Sequence, residues 1–266
     1  MLDRFNRTID YLRISVTDRC NLRCIYCMPE EGIKLLSHED ILSFDEITDF
    51  TRLAVKQGVK KVRITGGEPL VRRGIVRLVS MLSAIEGITD LSMTTNGTLL
   101  KDFAGDLKKA GLDRINISLD TTDPGKFKEM TRGGNISDVF EGIEAAVNAG
   151  LTPVKINCVI RETREEDDAR AIADFCRRKE LQVRFIHQMD LVKGHFTVVD
   201  GGTGGNCQLC NRLRISANGK LRPCLFSDLE FDIRQLGPEE ALRQAIENKP
   251  ECGTSNVTGK FYNIGG

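Results

Sequence analysis

Three cysteines, Cys20, Cys24 and Cys27, follow the apolar run Tyr11 to Val16 in a C-x3-C-x2-C pattern. Three thiolates from one short loop can hold three corners of a [4Fe–4S] cube and leave the fourth iron free to bind a small molecule. A zinc site or a disulfide knot would use the same residue type, so both remain alternatives at this point. The apolar run predicts a first β-strand, and the loop that carries the three cysteines follows it directly.

A second group of cysteines has the spacing C-x2-C-x13-C and consists of Cys207, Cys210 and Cys224. It also supplies only three thiolates, whereas a structural zinc site usually takes four protein ligands. The spacing alone leaves zinc and a second iron–sulfur cluster open. Two further cysteines, Cys158 and Cys176, fall on apolar faces and are predicted to be core residues, and Cys252 has no partner motif.

Between the two cysteine groups, strand and helix patterns alternate. Ser43 and Glu46 form a capping box that starts a helix, and Gly58 is expected to end it. The same order repeats until a strand over 182–186, which gives about six β–α units and predicts a parallel sheet with helices outside. Six units favour an α/β fold of the open (βα)6 type, a three-quarter TIM-like barrel, with a small C-terminal extension. We expect one region over 1–190 and a second over 191–266.

Polar residues recur at every second position of these strands. Because side chains alternate between the two faces of a strand, one face carries Arg13, Lys61, Arg63 and Lys155 together with Ser, Thr and Asn residues. The opposite faces are apolar and suit the outer helices. A lumen lined by cations is unfavourable unless a polar ligand fills it, which predicts an anionic ligand, such as a phosphate, inside the barrel. The alternative is that some of these side chains extend to the barrel rim.

The run Gly66-Gly67-Glu68-Pro69 directly follows the second predicted strand, where bare glycine backbone lets a ligand approach. Together with the first cysteine group, it resembles the radical S-adenosylmethionine (SAM) superfamily. The resemblance implies a barrel of the radical SAM type and a [4Fe–4S] cluster that cleaves SAM to a 5′-deoxyadenosyl radical. It also implies that SAM binds at six positions, namely Tyr26, Gly66, Gly67, Glu68, Ser118 and Met189.

The second cysteine group continues as Cys207-x2-Cys210-Asn-Arg-Leu-Arg and is followed by Gly219-Lys-Leu-Arg-Pro-Cys224-Leu-Phe. These motifs and the terminal Gly265-Gly266 are similar to those of the GTP 3′,8-cyclase family, lyases that catalyse the first step of molybdenum-cofactor biosynthesis. The resemblance implies a second [4Fe–4S] cluster, GTP as substrate, and a glycine tail that reaches the active site. The residues implied in catalysis are Arg13, Arg63, Lys155, Arg212 and Arg214, and those implied in substrate binding add Lys61, Thr94 and Leu213.

This chain departs from that family in two ways. The resemblance implies that family members carry roughly sixty more residues between the sixth strand and the second cysteine group. It also implies that they usually have glutamate where this chain has His187. A lone histidine at a strand end is more often structural than catalytic. Two other functions therefore stay open: a radical SAM enzyme with an auxiliary cluster that acts on a peptide or another small metabolite, and a non-enzymatic iron–sulfur electron carrier.

The length, net charge and cysteine count of the sequence limit the partners that we expect. The chain has 266 residues, formal net charge zero and nine cysteines, and it shows no signal peptide and no apolar run of membrane-spanning length. Zero net charge gives no reason to expect nucleic acid or an anionic membrane as a partner. We expect a cytoplasmic location, where thiols stay reduced and serve metals. The resemblance also implies a low-potential electron donor and product hand-off to cyclic pyranopterin monophosphate synthase, and a homodimer is one arrangement left open.

Overall fold

The structure is a computed structural model that describes residues 1–190 and 192–257. The predicted Gly265-Gly266 tail lies outside the described residues. Six parallel strands occupy the barrel, and their bounds are β1 Tyr11–Ser15, β2 Lys61–Thr65, β3 Asp90–Thr95, β4 Arg114–Ser118, β5 Lys155–Ile160 and β6 Gln182–His187. The described helices are α1 Phe44–Lys56, α2 Ile75–Ser83, α3 Leu100–Lys109, α4 Pro124–Met130, α5 Ile136–Asn148, α6 Asp167–Arg178 and α7 Pro238–Glu247.

The predicted β–α alternation is confirmed, and the sheet is open at both ends. Its order begins β6-β5-β4-β3-β2-β1, and each neighbouring pair is parallel. The capping box at the start of α1 is also confirmed, because Glu46 N donates to Ser43 Oγ (3.1 Å) and Ser43 N donates to Glu46 Oε2 (2.7 Å). Gly58 follows this helix with a positive φ of 108°, a conformation that favours glycine. Helix α4 is an addition that the sequence pattern did not predict.

The C-terminal residues extend the same sheet. Three further strands are β7 Arg212–Ile215, β8 Lys220–Arg222 and β9 Phe231–Asp232. Strand β7 pairs in parallel with β1, on the side opposite β2, and β8 and β9 follow in antiparallel order. The two regions expected from the sequence therefore share one sheet, and a boundary after residue 190 remains a prediction.

The apolar faces of the strands form the core, as the alternation predicts. Leu12, Ile14, Val62, Ile64 and Ile117 are all at most 1% exposed and pack in one cluster with the inner faces of the helices. Cys158 and Cys176 belong to this cluster, which confirms their assignment as core residues. No helix of the described residues has the length and apolar character needed to cross a membrane.

Residues 196–206, between β6 and β7, lie across the open side of the barrel. The backbone of Asp200 exchanges hydrogen bonds with that of Phe185 in β6 (3.0 and 3.2 Å). Farther along, the hydroxyl and carbonyl oxygens of Thr203 accept hydrogen bonds from the Arg212 guanidinium in β7 (2.8 and 3.4 Å). Since β6 is an edge strand and β7 lies beyond β1, this short segment crosses the opening of the sheet and forms one wall of the cavity inside.

Candidate active site

The loop that carries Cys20, Cys24 and Cys27 leaves the carboxyl end of β1. In this loop Cys27 N donates to Cys24 O (3.0 Å), and the three thiols lie near enough for their charges to interact. Burial, followed by the neighbouring thiols, raises the pKa of Cys24 and of Cys27 to about 12. Three thiols that oppose one another's ionisation need a cationic centre before they can all become thiolates, so this donor set fits an iron–sulfur cluster.

Gly66 and Gly67 fix the start of this loop by close backbone contact. Gly67 N donates to Thr17 O (2.7 Å), and Glu68 N donates to Arg19 O (2.8 Å). A Cβ on Gly67 would lie 2.4 Å from Arg19 O, and one on Gly66 would lie 2.9 Å from Thr17 O. The two glycines are therefore required by the approach of the cysteine loop. Their predicted contact with SAM stays a prediction.

The carboxylate of Glu68 is buried and bonded inside the protein. It accepts hydrogen bonds from Leu70 N (3.0 Å), Thr95 Oγ (2.7 Å) and Asn96 N (2.7 Å). Burial raises its pKa to about 7 against the effect of these donors. The side chain thus ties the glycine motif to the end of β3, and any contact of Glu68 with SAM would involve its backbone.

Tyr26 and Ser118 meet in a small pocket beside the first cysteine group. This pocket is lined by Cys24, Tyr26, Ser118 and Asp120, among others. The Tyr26 hydroxyl donates to Asp120 Oδ2 (2.6 Å), and Val159 N donates to Asp120 Oδ1 (2.7 Å). Two of the predicted SAM-binding residues therefore lie together next to a predicted cluster ligand.

A cavity of about 360 Å³ occupies the lumen and has a strongly positive lining. Among the described residues it presents seven cationic side chains and one carboxylate, that of Asp90; the cations belong to Arg13, Lys61, Arg63, Arg114, Arg184, Arg212 and Arg214. The strand register concentrates them, because Arg13 lies beside Arg63 on one neighbouring strand and beside Arg214 on the other. Burial, together with neighbouring guanidinium groups, lowers the pKa of Arg13, Arg63 and Arg214.

Several buried polar atoms at this cavity lack a hydrogen-bond partner among the described residues. They include Arg214 Nε and the hydroxyl oxygen of Tyr11. Thr94 Oγ1 on β3 also lacks a partner among the described residues, but Thr94 is not among the residues that line this cavity. The Tyr11 ring lies between two guanidinium groups, with Arg63 Cζ 5.5 Å and Arg212 Cζ 5.7 Å from its centroid. Because unpaired buried donors are unfavourable, this lining fits a ligand with several negative oxygen atoms.

The second cysteine group lies on the wall of the same cavity. Cys207, Cys210 and Cys224 all contribute to the lining. Burial opposes ionisation of Cys210, but Lys249, Arg214 and Arg212 together lower its pKa to about 7. Thiols that face cations in this way fit a group that requires thiolates. The buried Lys249 ammonium donates to Arg212 O and Pro223 O and so joins the two segments that carry these cysteines.

The structure brings most predicted substrate-binding residues to the large cavity, but Thr94, Lys155 and Leu213 are not among the residues that line it. Met189 lines the large cavity with the predicted cations, and Asn157 of the same cavity pairs in register with Ser118 of the small pocket. Burial, followed by the charges of Arg184, Arg114 and Arg63, lowers the pKa of Lys155, which therefore lies near the lining. The Leu213 side chain is fully buried in the core beside Leu12, so it can meet a substrate only through its backbone.

Four lumen residues escaped the sequence analysis. They are Tyr11, Asp90, Arg114 and Arg184, all of which line the large cavity. Strand alternation could have found Tyr11 from Arg13, Asp90 from Ser92 and Arg114 from Asn116. His187 lies at the end of β6 and lines the cavity as well. Cys252 has no partner motif in the sequence, but the structure places its Sγ 3.3 Å from Sγ of Cys207.

Comparison with family models matches the chain twice. Residues 14–176 match the model described as Radical SAM superfamily, and residues 157–252 match the model described as Molybdenum Cofactor Synthesis C. The GTP 3′,8-cyclase of Thermodesulfovibrio yellowstonii is 46% identical over 296 positions and covers 92% of each chain. That of Moorella thermoacetica is 43% identical over 286 positions, which cover 91% of this chain and 88% of the relative.

The length of that first alignment confirms that this chain is shorter than its relatives. It has 296 positions, whereas 92% of the 266 residues is about 245 residues, so about 50 positions of the relative have no counterpart here. Among solved structures, SuiB of Streptococcus suis bound to SAM matches with a TM-score of 0.65 and 17% identity. The match covers 91% of this chain and 64% of that chain, and at this identity it supports the fold alone.

Proposed function

This chain belongs to the GTP 3′,8-cyclase family of the radical SAM superfamily, and we propose that it converts GTP to 3′,8-cyclo-7,8-dihydro-GTP, the first step of molybdenum-cofactor biosynthesis. One observation supports this assignment above the others. A single cavity combines seven cations with the second cysteine group. A triphosphate matches the cations, and the nearby thiolates can hold a metal group against the base.

The two cysteine groups provide the donor sets for two [4Fe–4S] clusters. Cys20, Cys24 and Cys27 would hold the first, and Cys207, Cys210 and Cys224 would hold the second. When bound, the first cluster and SAM supply a 5′-deoxyadenosyl radical that can remove a hydrogen atom from a substrate. The chain itself binds, orients and shields the reactants.

The arginines of the lumen hold the nucleotide. Arg13 and Arg63 are buried on neighbouring strands, and guanidinium groups suit bidentate contacts with phosphate oxygens. Arg212 and Arg214 lie on β7 between these residues and the second cysteine group. Burial of these charges in a site of low dielectric makes each contact with the triphosphate stronger than it would be in water.

The proposal requires that a hydrogen atom passes between the two pockets, and their position on neighbouring strands supports this. Ser118, in the small pocket with Tyr26, pairs in register with Asn157 of the large cavity. In the proposed reaction the hydrogen atom of C3′ would pass to the radical that the first cluster and SAM supply, a C3′–C8 bond would form, and one electron and one proton would add to the former guanine. The product is therefore an isomer of GTP. Fixed positions of this kind supply much of the rate by holding reacting atoms in contact.

Several partners follow from this function and belong to the proposal. The added electron requires a low-potential donor, and the product would pass to cyclic pyranopterin monophosphate synthase. A cytoplasmic location is part of the proposal, because thiols remain reduced there and can hold the clusters. A homodimer is compatible with the proposal but is not required by it.

Anaerobic reconstitution tests the assignment directly. The full chain, loaded with iron and sulfide, is incubated with SAM, dithionite and GTP that carries deuterium at C3′. We expect an isomer of GTP with a new retention time, and 5′-deoxyadenosine that is one mass unit heavier by mass spectrometry. Replacing Arg212→Ala and Arg214→Ala together should lower GTP turnover by about 100-fold or more, because a hydrogen bond to a charged group contributes about 1.5–3 kcal/mol.

A matched control is Arg178→Ala, which removes an exposed arginine from α6 and should leave turnover unchanged. Unaltered GTP turnover in the double variant would reject the substrate assignment. Unlabelled 5′-deoxyadenosine with no GTP isomer, while SAM is cleaved in the presence of a peptide, would instead support a peptide-modifying enzyme.

A further inference from the structure

Cys252 lies against a cysteine of the second group. Its Sγ is 3.3 Å from Sγ of Cys207, while Cys207 itself lines the large cavity. We propose that Cys207 and Cys252 are a modification site, at which an intramolecular disulfide forms when Cys207 does not hold a metal group. The pairing stands on the contact between the two thiols. Only its consequence for the second cluster rests on the proposed function.

The position of Cys252 distinguishes it from a fourth cluster ligand. Cys207, Cys210 and Cys224 face the cavity, and so does Gly253, but Cys252 is not among the lining residues and is exposed to solvent. It therefore approaches Cys207 from outside. Each cysteine of a [4Fe–4S] cluster binds its own iron, so two ligand sulfurs would lie even farther apart than the about 3.8 Å of two sulfurs on one tetrahedral metal at about 2.3 Å. The contact of 3.3 Å is shorter and fits a pair of thiols.

The backbone on the N-terminal side of Cys252 is tied to the segment of Cys207 by one side chain. The Arg7 guanidinium donates to Cys207 O (2.8 Å), to Glu251 O (2.7 Å) and to Pro250 O (2.7 Å). Asp3 Oδ2 accepts from Arg7 Nε (2.7 Å) and orients the group. Arg7 is only 8% exposed, so this connection is part of the interior and keeps the two cysteine segments in register.

The backbone on the C-terminal side is fixed to the segment of Cys224. Thr254 N donates to Phe226 O (3.0 Å). A Cβ on Gly253 would lie 2.6 Å from Phe226 Cβ and 3.2 Å from Cys224 Sγ, so this glycine is pressed against the second cysteine group. With both flanks held, bond formation requires an approach of only about 1.3 Å between the two sulfurs, given a disulfide length of about 2.05 Å. Rotation of the two side chains can supply that movement.

The chemistry requires an oxidant, and a low-molecular-weight disulfide is sufficient. The exposed Cys252 attacks this disulfide, forms a mixed disulfide and releases one small thiol. Cys207 then attacks the Cys252 sulfur and releases the second small thiol. Two protein thiols are oxidised, one small disulfide is reduced, and their protons leave with the released thiols. Two cysteines of the second group then remain free, which is too few for the cluster until a reductant restores Cys207.

Peptide mapping tests the pairing without any assay of catalysis. The full chain is stripped of iron without oxygen, treated with oxidised glutathione, blocked with N-ethylmaleimide and digested without reductant. We expect the main cross-linked peptide to join Cys207 to Cys252, and dithiothreitol to abolish it. A main link between Cys207 and Cys210, or an alkylated Cys252 in most molecules, would overturn the proposal. Cys252→Ser should lack the link. In the same digest, the peptides of the first cysteine group serve as the reference against which the amount of the Cys207–Cys252 link is compared.

Iron uptake measures the consequence separately. After oxidation, the native chain should take up about four irons per chain, and about eight once dithiothreitol is added, because one of two [4Fe–4S] sites is blocked. Cys252→Ser should take up about eight irons before and after treatment with oxidised glutathione. A native chain that takes up eight irons while the Cys207–Cys252 link is intact would refute the blocking role. In that case the conversion of GTP could still be tested separately with protein in which the link has been reduced.

Discussion

At the residue scale, the first cysteine group depends on a position without a side chain. Gly67 donates its N–H to Thr17 O, and the space that a Cβ would need is filled by the carbonyl of Arg19. Glycine is required at position 67 because the two backbone segments approach so closely, and the methyl group of alanine would not fit between them. The glycine thereby sets where the loop of Cys20 to Cys27 begins.

Gly67→Ala should therefore displace the loop and weaken the first cluster site. The added methyl would lie 2.4 Å from Arg19 O, and overpacking of this kind typically destabilises by about 1–3 kcal/mol. We expect iron content to fall from about eight to about four per reconstituted chain, because the second cysteine group is untouched. Metal analysis and circular dichroism of the same sample measure both cluster loss and retention of the fold.

Gly105→Ala is the matched control for this change. Gly105 lies in α3, where an added Cβ meets nothing within 4 Å. Alanine is favoured over glycine inside a helix by about 1 kcal/mol, so this variant should be slightly stabilised and should keep about eight irons. Equal iron content in the two variants would contradict the role given to Gly67.

At the element scale, the start of α1 is joined to the C-terminal part of the chain. Glu46 completes the capping box with Ser43 and also accepts two hydrogen bonds from Arg234 (2.7 and 3.0 Å). Arg234 donates in addition to the carbonyls of Glu39, Asp40 and Ile41. Hydrogen bonds from Arg234, followed by the backbone donor of Ser43, outweigh partial burial and lower the pKa of Glu46 to about 2.

This shift predicts a pH dependence of stability. Because the pKa of Glu46 is lower in the folded state than its ordinary value of 4.5, its contribution is complete above pH 4.5 and is lost as the pH falls towards 2. Glu46→Gln should lower the free energy of unfolding by about 1 kcal/mol at pH 7, and the difference from the native chain should shrink below pH 4.5. Urea titrations of the metal-free full chain between pH 7 and pH 2.5 measure it.

A reference variant isolates the contribution of this carboxylate. Glu86→Gln removes an exposed carboxylate from the turn after α2, where no ion pair is found among the described residues. Its effect on stability should be small at every pH. A deficit for Glu46→Gln that stays constant from pH 7 to pH 2.5 would show that the charge of Glu46 is not the cause.

The elements that the sequence predicts correctly are those set by local patterns. Strands β1 to β6 and the capping box depend on periodicity and on neighbouring residues, and the inward cations follow from alternation. Strand β7 escaped prediction because its four residues form a strand by pairing with β1, about two hundred positions earlier, and local patterns do not show this pairing. The Cys207–Cys252 contact escaped for the same reason, since the two distant segments are joined by the buried side chain of Arg7.

At the scale of the whole molecule, the sheet is organised around mutually repelling charges. Arg63 is 7% exposed, and its pKa is lowered by burial and by the charges of Arg114 and Arg184. Its Nε donates only to Ser92 Oγ, at 3.3 Å, among the hydrogen bonds of the described residues. Such an arrangement is unfavourable in the free protein and becomes favourable when a polyanion binds, so stability and ligand binding should oppose each other here.

Arg63→Met tests this opposition with two effects of opposite sign. Removal of a buried cation from among other cations should raise the melting temperature of the ligand-free chain by a few degrees, equivalent to about 1–2 kcal/mol. The same change should reduce the stabilisation by GTP, which for the native chain at 100 times Kd is about 2.7 kcal/mol, or about 5–10 °C. Anaerobic differential scanning fluorimetry with GTP and with guanosine, which lacks phosphates, measures both effects. Arg178→Met, on the exposed face of α6, should change neither value. If guanosine stabilises the native chain as strongly as GTP does, the cations of the lumen do not serve to bind phosphate.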